Sequence, residues 1–152
     1  MASDCRGAGH AAGYRDHGGD RVLNAAAIRR LALLAAPVVA AALVAVAWQE
    51  SGWQQQVISE VGAVGVMQIM PETGRFTGET ILQRAVDTAD LEHNVEAGVA
   101  FFAYLVRQAK GDVPLAVAGY YQGLRSVVQK GMQADTKRYV ANVMALRQRF
   151  SH

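Results

Sequence analysis

An all-α, single-domain fold is what this sequence predicts, and three observations predict it. From Asn24 to the end of the chain the apolar residues recur at helical spacing, with no alternating strand of any length and no internal repeat. Helix punctuation follows the same pattern: Asp or Pro stands ahead of apolar runs and Gly behind them. A chain of 152 residues with 51% hydrophobic content is enough for one packed core.

Each element follows in order. The first twenty residues, MASDCRGAGHAAGYRDHGGD, hold five glycines and no Val, Ile, Leu or Phe, so residues 1–24 are expected to be disordered and residues 25–150 to form the domain. A first helix is predicted at about Ala25 to Ala36, broken at Pro37, and a second at about Val38 to Ser51, where Gly52 supplies the stop. The glycine-bearing stretch VGAVGVMQIMPETG is expected to hold one short helix, and RFTGETILQRAVDTAD to be a connection with room for another turn. Asp90 caps a long helix, LEHNVEAGVAFFAYLVRQAK, that closes on Gly111. Val95, Val99, Phe102 and Leu105 or Val106 mark its core face. Asp112 and Pro114 start a further helix through LAVAGYYQG. The last, DTKRYVANVMALRQRF, takes Asp135 as its cap and carries basic residues at its far end, where the helix dipole favours them.

Composition narrows the function classes. Fifteen basic against 13 acidic residues give a net charge of only +2, too weak to argue for a nucleic-acid partner. Cys5 is the sole cysteine, so no intramolecular disulfide can form. His10, His17, His93 and His152 are scattered, and neither HExxH nor CxxC spacing occurs, so neither a bound metal nor a cofactor is expected.

The stretch AVAWQESGWQQQ carries the first chemical signal. An apolar run of 17 residues, Leu31 to Ala47, ends there on Trp48, Gln49 and the carboxylate of Glu50. Two readings fit. Arg29 and Arg30, the run itself and Ala45-Val46-Ala47 mimic a secretory signal, and the run is near the lower length limit for a membrane span. Alternatively the run is a buried helix that delivers Glu50 to a site. Its late start, the interruption at Pro37 and the position of Glu50 directly after it favour the buried helix. In the last turn of such a helix the dipole and apolar neighbours such as Trp48 raise the pKa of a carboxyl and keep it protonated near neutrality. A neutral carboxylic acid is what general-acid cleavage of a glycoside needs, although an exposed glutamate at a helix end is the simpler alternative on position alone.

A second motif lies downstream. Gly62 and Gly65 let the backbone turn tightly and approach a ligand, and Gln68 offers an amide that both donates and accepts hydrogen bonds, as sugars demand. Met67, Ile69 and Met70 fit either the core or a thioether surface for a sugar face.

Taken together, AWQESGW, the nine-residue step from Glu50 to Ser59, GAVGVMQIMPETG, NVEAGVAF, LAVAGYYQG and DTKRYV resemble the soluble lytic transglycosylase domain of the lysozyme-like superfamily, related to goose-type lysozyme. The resemblance covers about residues 25 to 150. It implies a helical, monomeric, extracytoplasmic catalytic domain, in the cell envelope or secreted, acting on peptidoglycan glycan strands. The cleaved bond would be the β-1,4 link between N-acetylmuramic acid and N-acetylglucosamine. By the same resemblance Glu50 is the sole catalytic acid/base, and cleavage leaves a 1,6-anhydro ring without consuming water. Ser51 matches a structural serine, and Ser59, Gln68 and Met70 match positions that line the sugar site. Tyr120 matches a tyrosine whose hydroxyl lies near the acid, and Tyr139 a late aromatic that closes one side of the groove. Glu60 and Glu72 match no catalytic position and are read as surface residues.

Two departures stand out. YYQG replaces the usual YNAG, so Tyr121 takes the place of an asparagine, and either Gln122 supplies the lost amide or the subsite is shaped differently. The segment LALLAAPVVAAALVAVA is also more apolar than is usual, which leaves membrane contact through residues 31–47 as a further reading. The alternatives to a transglycosylase are a hydrolytic muramidase and a non-catalytic wall-binding or membrane-tethered protein.

Overall fold

The structure, a computed structural model, describes residues 36–150. The predicted helix over 25–36 and the disordered segment 1–24 therefore lie outside the described residues, apart from Ala36 itself.

The described residues begin with α1, Ala36–Ser51, rich in Ala and Val. Ala36 and Pro37 already belong to this helix, which therefore includes two residues before the expected start at Val38. The small side chains of Ala41, Ala42 and Ala45 are buried and let neighbouring helices approach closely. The helix ends as expected: Gly52 takes a left-handed φ of +60° and its N–H reaches the Trp48 carbonyl at 2.9 Å. Much of the apolar run is thus core. Its other flank, with Val38, Val44 and Trp48, is exposed. Among the described residues no helix is long and apolar enough to cross a membrane.

Residues 57–70 form a looped segment pinned by isolated antiparallel bridges, Ile58 to Val64 and Val64 to Ile69, with positive φ at Gly62, Gly65 and Gln68. The short helix expected within 61–74 begins at Pro71, as α2, Pro71–Phe76, and runs straight into a π-helical segment, Thr77–Leu82, inside the stretch expected to be a connection with room for another turn.

Helix α3, Leu91–Gln108, is capped by Asp90, whose carboxylate accepts the His93 N–H at 2.9 Å, and the chain turns away at Gly111, φ +89°. Phe102 and Leu105 are buried as predicted, whereas Val95 and Val99 are only half-buried. The face turns toward Asn94, Ala97 and Gly98 because Met67 packs there: a Cβ on Gly98 would lie 2.5 Å from the Met67 side chain. Asp112 caps α4, Val113–Ala118, by accepting the Leu115 N–H at 2.9 Å. A second π-helical turn, Gly119–Gly123, leads into α5, Leu124–Lys130. The last helix, α6, is Ala134–Arg149. Its cap position is Gln133, not Asp135, which lies in the first turn, where its charge still suits the dipole; Arg147 and Arg149 occupy the last turn.

Helices α1 and α6 pack side by side, with α4 against α6 and α3. Val46, Phe102, Val117 and Val143 meet in their shared core and are fully buried. This arrangement brings the end of α1 to the middle of α6.

Candidate active site

Glu50 sits in the last turn of α1, and its backbone is fixed from both sides. The Ser51 hydroxyl donates to the Val66 carbonyl at 2.9 Å and accepts the Gln54 N–H at 3.1 Å, tying the helix end to the 57–70 loop. Across the helix pair, the Tyr139 hydroxyl of α6 donates to Glu50 Oε1 at 2.5 Å. The residue as a whole is partly open to solvent, but its carboxyl lies inside the protein. Burial therefore raises its pKa to about 7, against the Tyr139 hydrogen bond, which favours the ionised form and lowers it.

Trp48, expected to contribute to this shift, does not face the carboxyl. It stands two residues back, about 200° around the helix, is 45% exposed, and packs edge-on against Trp53.

Tyr120 closes the other side. Its hydroxyl donates to the Met67 carbonyl at 2.7 Å, and burial together with the nearby Glu50 charge pushes its pKa well above 10. It remains a neutral donor beside the acid. Tyr121, the next residue, stacks on Tyr139 with ring centroids 4.5 Å apart. Glu50, Tyr120, Tyr121 and Tyr139 are thus brought together from three elements. Glu60 and Glu72 are exposed, as expected.

The 57–70 loop carries the remaining predicted residues. Ser59 Oγ accepts the Ala63 N–H at 3.0 Å, while the Gly62 N–H, from a residue with φ +88°, bonds to the Ser59 carbonyl. Gly65 needs to be glycine because its own protein neighbours crowd it. At φ +78° a Cβ there would lie 2.5 Å from Gln55 Oε1 and 2.7 Å from Asn94 Nδ2. Gln68 is buried, and its Nε2 donates to the Val57 and Gly65 carbonyls at 3.0 and 2.9 Å. Only Oε1 is left without a hydrogen bond among the described residues. Met70 is half-buried at the cap of α2.

Gln122 does not supply a sugar-facing amide. It is buried, and both ends of its amide are engaged by the protein: Nε2 by Ser126 Oγ and the Gly131 carbonyl, each at 3.0 Å, and Oε1 by the Gln133 N–H at 3.0 Å and the Thr136 hydroxyl at 2.6 Å.

Two residues that organise the site were not singled out by sequence. Asn94, fully buried on α3, accepts the Met67 N–H at 2.9 Å and donates to the Val64 and Thr88 carbonyls at 2.8 and 2.9 Å. Gln55 accepts the Val66 N–H at 3.1 Å and donates to the Ala89 carbonyl at 3.0 Å. The one available signal was the position of Asn94 on the inward face of an apolar helix, where an amide must have partners. A cavity of about 300 Å³ lined by Arg75, Glu79, Arg84 and Asp87 includes none of the site residues.

Fold and site define a class: an all-α domain in which one carboxyl, protonated up to about neutral pH, is held at the end of a core helix between two tyrosines and a backbone loop. The chain belongs to the transglycosylase SLT domain family, whose model matches residues 32–142. It is 30% identical over 119 residues to the soluble lytic murein transglycosylase of Escherichia coli, an alignment covering 65% of this chain and 18% of that protein. It is 27% identical over 103 residues to the membrane-bound lytic murein transglycosylase F of Mannheimia succiniciproducens, covering 64% of this chain and 19% of the relative. Among solved structures, the 70 kDa soluble lytic transglycosylase of Escherichia coli superposes with a TM-score of 0.68 at 27% identity, over 72% of this chain and 21% of that one. An inactive mutant of the lytic transglycosylase Slt from Pseudomonas aeruginosa shares the fold, with a TM-score of 0.67 at 24% identity over 82% of this chain and 23% of that one. The fold is therefore the all-α, lysozyme-like one of the lytic transglycosylases. The chain spans about a fifth of the length of the relatives it matches.

Proposed function

We propose that this domain is a peptidoglycan lytic transglycosylase that cleaves the β-1,4 bond between N-acetylmuramic acid and N-acetylglucosamine, with Glu50 as the only acid/base. The observation that carries the reading is the Glu50 carboxyl itself, buried, with a pKa of about 7 and hydrogen-bonded to Tyr139. Near neutrality such a group holds a proton in half of the molecules and can both give and take one, which matches general acid and base in turn.

The steps follow from that single group. Protonated Glu50 gives its proton to the glycosidic oxygen as the bond to muramoyl C1 breaks, and the N-acetylglucosamine side leaves as an alcohol. The carboxylate then takes the proton of the muramoyl C6 hydroxyl while that oxygen bonds to C1. Glu50 ends protonated again, the product carries a 1,6-anhydro ring, and no water enters. Tyr139 steadies the carboxylate between the two steps. The free Gln68 Oε1, the Ser59 hydroxyl and the Met70 thioether are the groups we assign to the sugar chain. The reading implies an extracytoplasmic domain, in the envelope or secreted, and its mild basicity suits an anionic wall polymer.

The test is digestion of purified peptidoglycan followed by mass spectrometry of the fragments. Products one water lighter than hydrolysed ones are expected; reducing ends alone would mean a hydrolytic muramidase, and binding without release a wall-binding module. Glu50→Gln should slow release by about 10²–10⁴-fold with the helical fold intact. Turnover close to the parent's would reject Glu50 as the acid.

A further inference from the structure

The π-helical turn Gly119–Gly123 presents three consecutive side chains to three different parts of the molecule. Tyr120 reaches the Met67 carbonyl, Tyr121 lies flat on Tyr139 with an interplanar angle of 21°, and Gln122 takes the Gln133 N–H and the Thr136 hydroxyl. The last two contacts converge. Gln133 is the cap residue of α6, and Thr136 stands three residues, about one turn, before Tyr139 on that helix. Gln122 therefore fixes the register of the first turns of α6, and Tyr121 fixes the ring that those turns carry.

We propose that Tyr121 and Gln122, the two residues at which YYQG leaves the family pattern, are positioning residues that act through Tyr139 and hold its hydroxyl on the Glu50 carboxyl. In this chain the position usually taken by asparagine has been turned from contact with sugar to alignment of the acid's partner. The proposal rests on Glu50 being the acid/base. Physically, a stacked aromatic pair biases a ring toward one orientation by roughly two- to tenfold. The bias matters because the Tyr139 hydroxyl makes a 2.5 Å bond, and rotation of the ring away from Glu50 would break it. Among the described residues Tyr139 from α6 and Tyr120 from the π turn are the titratable groups whose interaction with Glu50 is resolved. Any change in Tyr139 placement should therefore be read directly in the ionisation of Glu50.

The experiment follows the Glu50 carboxyl by carbon NMR without substrate, and then kcat and KM against pH. The proteins compared are the parent, Tyr121→Leu, Tyr121→Asn, Tyr121→Phe, Gln122→Ala, Tyr139→Phe and the Tyr121→Leu/Tyr139→Phe pair. Loss of a hydrogen bond to the ionised form raises the midpoint, so Tyr139→Phe should move it upward by about one pH unit. Tyr121→Leu, Tyr121→Asn and Gln122→Ala should move it the same way by a part of that. Tyr121→Phe, which keeps the stack, should restore the parent midpoint. In the Tyr139→Phe background Tyr121→Leu should add nothing, because both act through one contact. KM should stay within about twofold while the alkaline limb of kcat follows the midpoint. An unmoved midpoint with a raised KM in Tyr121→Leu and Tyr121→Asn, or additive effects in the pair, would overturn the proposal. Should Tyr121→Leu unfold, Tyr121→Asn against Tyr121→Phe decides alone. If instead the midpoints shift as expected but Glu50→Gln keeps its turnover, the assignment of the acid has failed and not the coupling.

Discussion

The two walls that meet at Glu50 are held by different means. The 57–70 loop is fixed by amide side chains from elsewhere in the chain bonding to its backbone: Asn94 takes Val64 and Met67, and Gln55 takes Val66. The opposite wall, the π turn with α6, is fixed largely by ring stacking of Tyr121 on Tyr139 and by the buried Gln122 network. In the first wall each bond has one geometry and a missing partner leaves a buried backbone group unpaired. In the second, a ring can change orientation with less loss. The comparison teaches that the loop is the rigid reference against which the acid is placed, whereas the tyrosine wall tunes its ionisation.

The largest expected effect breaks the rigid wall. Asn94→Ala would leave the buried Met67 N–H without a partner and take one of two hydrogen bonds from each of the Val64 and Thr88 carbonyls, which keep the Ile69 N–H and Gln55 Nε2. At about 1–3 kcal/mol for the unpaired N–H and about 0.5–1.5 kcal/mol for each of the two lost hydrogen bonds, partly relieved by relaxation, a loss of about 2–4 kcal/mol is expected in denaturant unfolding. A loss below about 1 kcal/mol would mean that the loop does not depend on it.

A smaller effect sharpens the comparison at the point where the walls meet. Glu50 has a folded-state pKa of about 7 against 4.5 for the ordinary group, so the folded protein binds the proton more tightly than the unfolded one. The stability this provides is fully present below about pH 4.5 and is lost as pH rises through about 7, where the buried carboxyl must ionise. Glu50→Gln escapes that penalty. It should be more stable than the parent by about 1–3 kcal/mol at pH 8, allowing for the site's partial opening to solvent, and should match it near pH 4. Equal stabilities at both pH values would place the carboxyl in water.

What sequence could read divides along the same line. Asp90 and Asp112 announced their helices because capping is local chemistry. Glu50 stood out through its motif, but its partner Tyr139 lies 89 residues away, and no local pattern joins them. The stretch 61–74 was expected to hold one short helix, and it does so only in its last residues, from Pro71; Asn94 and Gln55, distant in sequence, hold the residues before it in a looped form. Gln122 read as a replacement amide for sugar, and only the proximity of α6 shows where its bonds go. Trp48 looked like the source of the acid's apolar surroundings, but helix geometry turns it to the outer face. The two π-helical segments, Thr77–Leu82 and Gly119–Gly123, had no sequence signal, since widening a helical turn is decided by what packs around it.

The central claim is that one carboxyl, made a neutral-pH acid by burial, defines this site. Carbon NMR titration of Glu50 in the unmodified protein tests it most directly. A midpoint near pH 7 is the result predicted. A midpoint near 4.5, the value of an ordinary glutamate, would contradict it.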